Sequence, residues 1–210
     1  MRPANFRPAF NRFQIMFIET GYTVFRNAVP ELLCRFIAEE YNLMLANGYL
    51  AFNDKQVEKA YYAYGLPVTE SLLGMLLPTV AKETGAELLP TYSYSRVYLK
   101  GAWLKRHTDR PACEVSATLA IAQKTEKPWP ICLQGKDGAT VEVNLAPGDM
   151  LIYSGMDMPH WRDPFDGEWQ LQAFLHYVRK NGLYTDRLYD TRTGLGAPKV
   201  IKGAQQEERA

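Results

Sequence analysis

The spacing of apolar residues divides the chain into a helical first part and a strand-rich second part. Apolar side chains recur at helical spacing between Pro30 and Gly48. A second helix is predicted over residues 70–83, broken or kinked by its internal glycine and proline. The residues before both helices, 15–25, predict a strand.

From Thr91 onward, short runs rich in β-branched and aromatic residues alternate with turn sequences. These runs cover residues 91–99, 114–122, 129–133, 140–145, 149–154 and 169–178. Helices followed by closely spaced strands are typical of an antiparallel sandwich flanked by helices, rather than of a βαβ fold. Because a double-sheet jelly roll encloses a pocket between its sheets, we predict a mainly β fold with a jelly-roll core and with N-terminal helices packed on one sheet.

The length of the chain indicates one compact domain. With 210 residues and no internal repeat or long linker, it is predicted to form a single domain over residues 13–200, with a loosely ordered lead, 1–12, and a flexible tail, 201–210. Lys and Arg number 24 and Asp and Glu 23, so the formal net charge of +1 argues against a nucleic-acid partner. No apolar run approaches the roughly 18–20 residues of a membrane span, so no membrane partner is expected.

The cysteines give no sign of a metal knuckle or a redox pair. Cys34, Cys113 and Cys132 are widely spaced and form no Cys-x-x-Cys motif. Reduced and mostly buried thiols in a cytoplasmic protein are therefore expected.

Two of the three histidines suggest a metal site. His107 and Asp109 are two residues apart, so on an extended segment their side chains point to the same side. His160 follows a later turn and apolar strand. If that strand brings His160 to the first pair, two imidazoles and one carboxylate form a facial triad, which leaves coordination positions open in non-haem Fe(II) oxygenases.

The segment around the first histidine also carries a family resemblance. Residues 97–109, VYLKGAWLKRHTD, resemble the Tyr-x-x-Gly-x-x-x-x-x-His-x-Asp segment of the Fe(II)/2-oxoglutarate-dependent dioxygenases. The prolyl-4-hydroxylase-like branch is the most similar, since the strand at 149–154, then His160, then the strand at 169–178 follow in that group's order.

The resemblance implies a double-stranded β-helix core and assigns roles to four residues. His107, Asp109 and His160 would ligate Fe(II), and Tyr98 would lie in the co-substrate pocket. The implied co-substrates are 2-oxoglutarate and O₂, and ascorbate is a candidate stimulant.

The chain departs from the branch at the anchor for the far carboxylate of 2-oxoglutarate. The branch uses a Lys or Arg downstream of the distal histidine, where this chain has the neutral Gln170. Arg162 is two residues past His160 and would share its strand face. Four residues therefore stay open as the anchor: Arg162, Gln170, Lys127 and Arg96.

Three other features have two interpretations each. His176 shares strand parity with Gln170 and lies either beneath the site or in the core as a structural histidine. Arg110 either orients an acidic substrate or pairs with Glu114. Residues 61–67, YYAYGLP, form either a mobile lid or a packed loop.

The resemblance implies an oxygenase that hydroxylates a C–H bond of a small molecule or of a protein side chain, with 2-oxoglutarate converted to succinate and CO₂. Two alternatives stay open: a cupin-like metalloenzyme that does not use 2-oxoglutarate, and a non-catalytic jelly-roll binding module. If the triad is complete, Cys113 is dispensable, and Cys113→Ser should retain iron binding.

Overall fold

A computed structural model describes residues 12–198, which form helices and two antiparallel sheets. The helices are α1 (Arg12–Thr20), α2 (Glu31–Ala46) and α3 (Pro67–Thr84). The strands are β1 (Tyr22–Phe25), β2 (Ala51–Phe52), β3 (Ala60–Tyr64), β4 (Leu88–Leu99), β5 (Leu104–His107), β6 (Val115–Lys124), β7 (Ile131–Gln134), β8 (Thr140–Val143), β9 (Met150–Tyr153), β10 (His160–Arg162) and β11 (Trp169–Arg179). Short 3₁₀ segments cover Pro111–Cys113 and Thr185–Thr191.

The larger sheet has the strand order β1-β9-β6-β11-β4-β3-β2, and the smaller has the order β5-β10-β7-β8. Helices α2 and α3 pack on the outer face of the larger sheet, where apolar side chains of β6 and β11 meet those of both helices. The smaller sheet covers the opposite face, with Ile131 and Leu133 packed against Leu151. The predicted jelly-roll fold with helices on one sheet is therefore confirmed.

The inner face of the larger sheet is unusually polar for a buried surface. On β11, Leu171, Leu175 and their odd-numbered neighbours face the helices, whereas the even-numbered positions face the smaller sheet. Those inward positions on β6 and β11 include buried polar residues: Ser116, Thr118, Gln170, Gln172 and His176. Because buried polar groups cost free energy unless they are paired, this concentration makes the space between the sheets a candidate functional site.

The predicted strand over residues 15–25 is wrong in its first half. Helix α1 extends to Thr20, and the strand begins only at Tyr22. Gly21 separates them with φ of +85°, and its N–H donates to the Phe17 carbonyl to end the helix. A side chain at Gly21 would also meet the Met158 sulfur at 2.9 Å, so glycine suits this turn.

The predicted lid or packed loop over residues 61–67 is also wrong, because most of it is strand β3. This strand pairs with β4 from Ala60↔Tyr98 to Tyr64↔Tyr94. Tyr62 stacks on Tyr94 with ring centroids 5.8 Å apart, and the same contact joins Tyr64 to Tyr92 at 5.2 Å. These cross-strand aromatic pairs favour a sheet over a loop.

Both helices predicted in the first part are present, and α3 runs through its internal proline, Pro78. Within the described residues, no helix combines the length and the apolar character that crossing a membrane requires. The predicted lead, 1–12, and tail, 201–210, lie outside the described residues except for Arg12.

Candidate active site

Two neighbouring strands of the smaller sheet bring the three candidate metal ligands together. His107 ends β5 and is the direct cross-strand partner of His160, which begins β10. Asp109 follows two residues after His107, and its Oδ1 lies 3.6 Å from Nε2 of each histidine. The ligands of one small divalent cation stand about 3–3.5 Å apart, so this donor set fits a metal.

Backbone contacts hold both imidazoles in the tautomer that a metal needs. His107 Nδ1 donates to the Lys105 carbonyl at 2.8 Å, and His160 Nδ1 donates to the Met158 carbonyl at 2.9 Å. Each Nε2 therefore carries the lone pair and faces Asp109. Burial also lowers the pKa of His160 and keeps that ring neutral, as ligation requires.

The carboxylate is held in a close-fitting backbone pocket. Burial alone would raise the pKa of Asp109, but contacts with His107 and His160 outweigh burial and lower it. The Asp109 N–H donates to the Gly155 carbonyl at 2.9 Å. A Cβ at Gly155 would stand 2.5 Å from Asp109 Oδ2, so a glycine is required for the carboxylate to fit.

A pocket of 360 Å³ opens above these three residues. Its lining combines apolar surface from Leu104 and Ile131 with aromatic, polar and charged side chains. The aromatic, polar and charged residues, besides the three candidate ligands, are Asp54, Lys55, Gln56, Tyr62, Tyr92, Tyr94, Arg96, Tyr153, Phe174 and His176. The metal-ligand candidates thus lie on the floor of a space that admits a small molecule or a single side chain.

Arg162 is a buried cation without a carboxylate partner among the described residues. Only 1% of the residue is exposed, and its Nη1 donates to the Trp129 carbonyl at 2.7 Å. The Trp129 ring lies 4.5 Å from the guanidinium carbon. Within residues 12–198, Nε and Nη2 have no hydrogen-bond partner, and burial lowers the pKa of the side chain.

Tyr98 on β4 and Gln170 on β11 are buried cross-strand partners. Tyr98 is completely buried, and its ring meets that of Trp129 edge-on with centroids 4.9 Å apart. Gln170 Nε2 donates to Gln172 Oε1 at 2.9 Å, which leaves the acceptor Gln170 Oε1 unpaired within the part of the chain that the structure describes.

The two other anchor candidates already have carboxylate partners. Arg96 is paired with Asp54 through Nη2 at 2.6 Å and donates to Gln56 at 2.7 Å, at the mouth of the pocket. The Lys127 side chain is 80% exposed and lies 3.7 Å from Asp166, away from the pocket. Neither residue presents an unpaired buried charge.

His176 lies beneath the site, next to Asp109 rather than in the apolar core. Of the two interpretations of Arg110, the pairing with Glu114 is wrong, because Arg110 makes a two-pronged ion pair with Asp190 at 2.8 and 3.0 Å. Glu114 instead pairs with Arg179 at 2.7 Å. The sequence did not indicate that the segment near residue 190 returns to this side of the sheet.

Tyr153 and Ser116 also belong to the site and were not predicted. The Tyr153 hydroxyl lies 3.4 Å from His160 Nε2, and Ser116 donates to Asp109 Oδ2 at 2.8 Å. All of β9 is buried, so its sequence does not reveal which face Tyr153 occupies. Ser116 carried a signal, because it alternates with apolar residues in a strand that is buried on both faces.

Comparisons with solved structures identify the fold. A prolyl-4-hydroxylase from Pseudomonas putida superposes with a TM-score of 0.68 and 18% identity over 80% of this chain and 98% of that one. HygX from Streptomyces hygroscopicus, with nickel and 2-oxoglutarate bound, has a TM-score of 0.65 and 15% identity over 82% of this chain and 89% of that one. The non-haem α-ketoglutarate-dependent epimerase SnoN from nogalamycin biosynthesis has a TM-score of 0.68 and 13% identity over 91% of this chain and 95% of that one.

By sequence alone, no protein-family model and no curated protein matches the chain. The likeness therefore resides in the three-dimensional arrangement of the strands. The chain has the double-stranded β-helix fold of the Fe(II)/2-oxoglutarate-dependent oxygenases.

Proposed function

We propose that this chain is an Fe(II)/2-oxoglutarate-dependent oxygenase in which His107, Asp109 and His160 hold the metal and Arg162 receives the far carboxylate of 2-oxoglutarate. The observation that carries the proposal is the buried Arg162 guanidinium, which has two unpaired nitrogens among the described residues. A buried charge of this kind is costly unless an anion completes it. A dicarboxylate that also reaches the metal supplies that anion.

The spacing of the two residues on β10 supports the same ligand. His160 and Arg162 are both buried, whereas Trp161 between them is partly exposed, so the pair shares one strand face. Two residues along a strand span about 6.6 Å, and the carboxyl carbons of a five-carbon diacid are about 5 Å apart. One molecule of 2-oxoglutarate can therefore contact the metal near His160 and the guanidinium of Arg162.

Different residues of the pocket bind the metal and exclude water. Two imidazoles and one carboxylate hold the metal and leave its remaining positions open. Bound Fe(II) would supply the activation of O₂ that is coupled to conversion of 2-oxoglutarate to succinate and CO₂ and to hydroxylation of a C–H bond. Leu104, Ile131 and Trp129 exclude water around the co-substrate, which strengthens the Arg162 charge pair.

The reacting substrate enters through the aromatic mouth of the pocket. We propose a small molecule or a protein side chain, since 360 Å³ above the triad admits a group of that size. A prolyl hydroxylase from Trichoplax adhaerens, which has a similar fold, is known in complex with a hypoxia-inducible-factor peptide. The epimerase SnoN has a similar fold but another reaction, so analysis of the product formed from the substrate is the test of hydroxylation.

Equilibrium binding with redox-inert Mn(II) tests the proposal. We expect one Mn(II) per chain, and 2-oxoglutarate binding that requires the metal, measured by isothermal titration calorimetry. Lys127→Ala is the matched control and should behave as wild type, because its side chain lies outside the pocket. Metal binding without 2-oxoglutarate binding would favour a cupin-like metalloenzyme, and no metal binding would favour a binding module.

A further inference from the structure

A second group of polar side chains adjoins the proposed metal site on its inner side. Asp109, Cys113 and His176 place potential ligand atoms within 4.8 Å of one another, and Ser116 lies among them. Asp109 is shared between this group and the triad, with Oδ1 toward the two histidines and Oδ2 toward Ser116. The inner group therefore acts on the oxygen of Asp109 that faces away from the two histidines.

We propose that Ser116 and His176 form a positioning relay that holds Asp109 Oδ2 and so keeps Oδ1 pointed at the metal. Ser116 Oγ donates to Asp109 Oδ2 at 2.8 Å, and His176 Nδ1 lies 3.0 Å from the same hydroxyl. This inference rests on the proposed metal site, and it adds two residues that do not themselves touch the metal.

Proton counting gives the relay a direction. An ionised carboxylate can only accept a hydrogen bond, so the single Ser116 proton is directed to Asp109. The hydroxyl oxygen must then accept from His176, which therefore carries its proton on Nδ1. The relay runs from the His176 N–H through the Ser116 O–H to the Asp109 carboxylate, and each bond polarises the next.

The surroundings hold both members of the relay in place. The Tyr92 ring packs on His176 with centroids 4.5 Å apart, and the Tyr92 hydroxyl lies 3.1 Å from the Cys113 sulfur. A Cβ at Gly155 would stand 2.6 Å from the Ser116 hydroxyl, so the backbone closes over Ser116 as it does over Asp109. The carboxylate is thus prevented from rotating to bind a metal through both oxygens.

The same geometry argues against a second cation in this group. Ser116 occupies the space between Asp109 and His176 and already bonds both. Cys113 is buried, and burial holds the pKa of its thiol well above its ordinary value, with Asp109 adding to the rise. A thiol that stays protonated is a poor ligand.

Co(II) binding tests the relay without turnover, because the d–d absorption of Co(II) reports the geometry of its ligands. We expect Ser116→Ala to weaken Co(II) binding by about 10- to 100-fold and to change the visible spectrum, as loss of an outer partner of a metal ligand does. Ser116→Thr keeps the hydroxyl and should stay within about threefold of wild type. His176→Phe keeps the packing on Tyr92 but has no ring N–H to donate to the Ser116 hydroxyl. His176→Asn restores an N–H donor close to the position of Nδ1.

Ser93→Ala is the matched control. Ser93 is equally buried, on β4, but it donates to Glu70 rather than to the site, so its loss should leave the Co(II) spectrum unchanged. Wild-type affinity and spectrum in both Ser116→Ala and His176→Phe would overturn the relay. Two Co(II) per chain, falling to one in Cys113→Ala, would overturn it in favour of a second metal site. Co(II) binding without 2-oxoglutarate binding would refute the proposed function alone.

Discussion

Arg162 is the single residue on which the choice of co-substrate depends most. If it binds the far carboxylate, Arg162→Ala should weaken 2-oxoglutarate binding to the Mn(II)-loaded protein by about 30- to 1000-fold, or roughly 2–4 kcal/mol. Arg162→Lys should recover only part of this, since a point charge does not reproduce the planar fork. Gln170→Ala should weaken 2-oxoglutarate binding by about 1 kcal/mol. Pyruvate, which lacks the far carboxylate, should bind wild type and Arg162→Ala equally, and a loss of similar size for pyruvate would place the anchor elsewhere.

The buried charge of Arg162 should make the ligand-free wild type less stable than a variant without that charge. Among residues 12–198 no carboxylate pairs with the buried Arg162, and burial lowers its pKa, so its charge opposes folding. Replacing a poorly compensated buried charge with an apolar side chain of similar length often stabilises a fold by about 1–3 kcal/mol. We therefore expect Arg162→Met to raise the free energy of unfolding in urea while abolishing 2-oxoglutarate binding. A less stable Arg162→Met protein would mean that the Trp129 contacts outweigh the cost of the charge.

Asp109 tolerates little change because its surroundings leave no space. Asp109→Glu inserts one methylene and moves the carboxylate by about 1.5 Å, into the backbone around Gly155. Metal ligands are set to a few tenths of an ångström, so we expect Mn(II) affinity to fall at least about 100-fold while circular dichroism stays native. Near-wild-type affinity in this variant would contradict the assignment of Asp109 as a ligand.

For single residues, the sequence supported the proposed metal ligands better than the proposed 2-oxoglutarate anchor. The i, i+2 spacing of His107 and Asp109 is a local property, and the sequence order supplied His160. The state of Arg162 is not local, because it depends on whether any distant strand brings a carboxylate to it. For Arg96 a distant loop does so, through Asp54, and no pattern in the sequence distinguishes the two arginines.

Among the elements, the loop between β2 and β3 contributes Asp54, Lys55 and Gln56 to the lining of the pocket. Asp54 joins this loop to β4 through Arg96 and through the Tyr94 hydroxyl at 2.8 Å, and both members of the ion pair are nearly buried. Breaking a buried pair typically costs about 3–5 kcal/mol. We expect Asp54→Asn to lower the free energy of unfolding by about that amount and to speed hydrogen exchange in residues 53–59, without changing Mn(II) affinity.

Asp166→Asn is the matched control for Asp54→Asn. Its side chain is 73% exposed and its pairs with Lys100 and Lys127 are long, so the change in stability should stay below about 0.5 kcal/mol. Equal effects of the two variants would show that the Asp54 pair does not hold the loop.

Element length explains which strands the sequence revealed. The twelve residues of β4 and eleven of β11 show a clear alternation, and both were predicted. The four residues of β5 and three of β10 are too short for a periodic signal, although they carry both proposed histidine ligands. Strand β3 precedes Gly65 and a proline, which favoured a loop, and only pairing with β4 makes it a strand.

For the whole molecule, the buried histidines predict that the metal-free protein loses stability in mild acid. Burial lowers the pKa of His176 from 6.5 to about 4. Between these values the unfolded chain binds more protons than the folded one, so stability is present at neutral pH and falls as the pH drops. For His176 this amounts to about 2 kcal/mol between pH 7 and pH 5. Urea unfolding at pH 7 and pH 5 should show this fall in the free energy of unfolding of the wild type. In His176→Phe the fall between the two pH values should be smaller by about 2 kcal/mol.

We propose that the triad and Arg162 together hold 2-oxoglutarate on Fe(II), and visible absorption of the anaerobic Fe(II) protein during titration with 2-oxoglutarate tests this. A keto acid that chelates Fe(II) through its carboxylate and keto oxygens gives a charge-transfer band. We expect a band that saturates at one 2-oxoglutarate per iron, is absent with succinate and in His160→Ala, and needs far more 2-oxoglutarate in Arg162→Ala. Stoichiometric iron without any band on adding 2-oxoglutarate would contradict it.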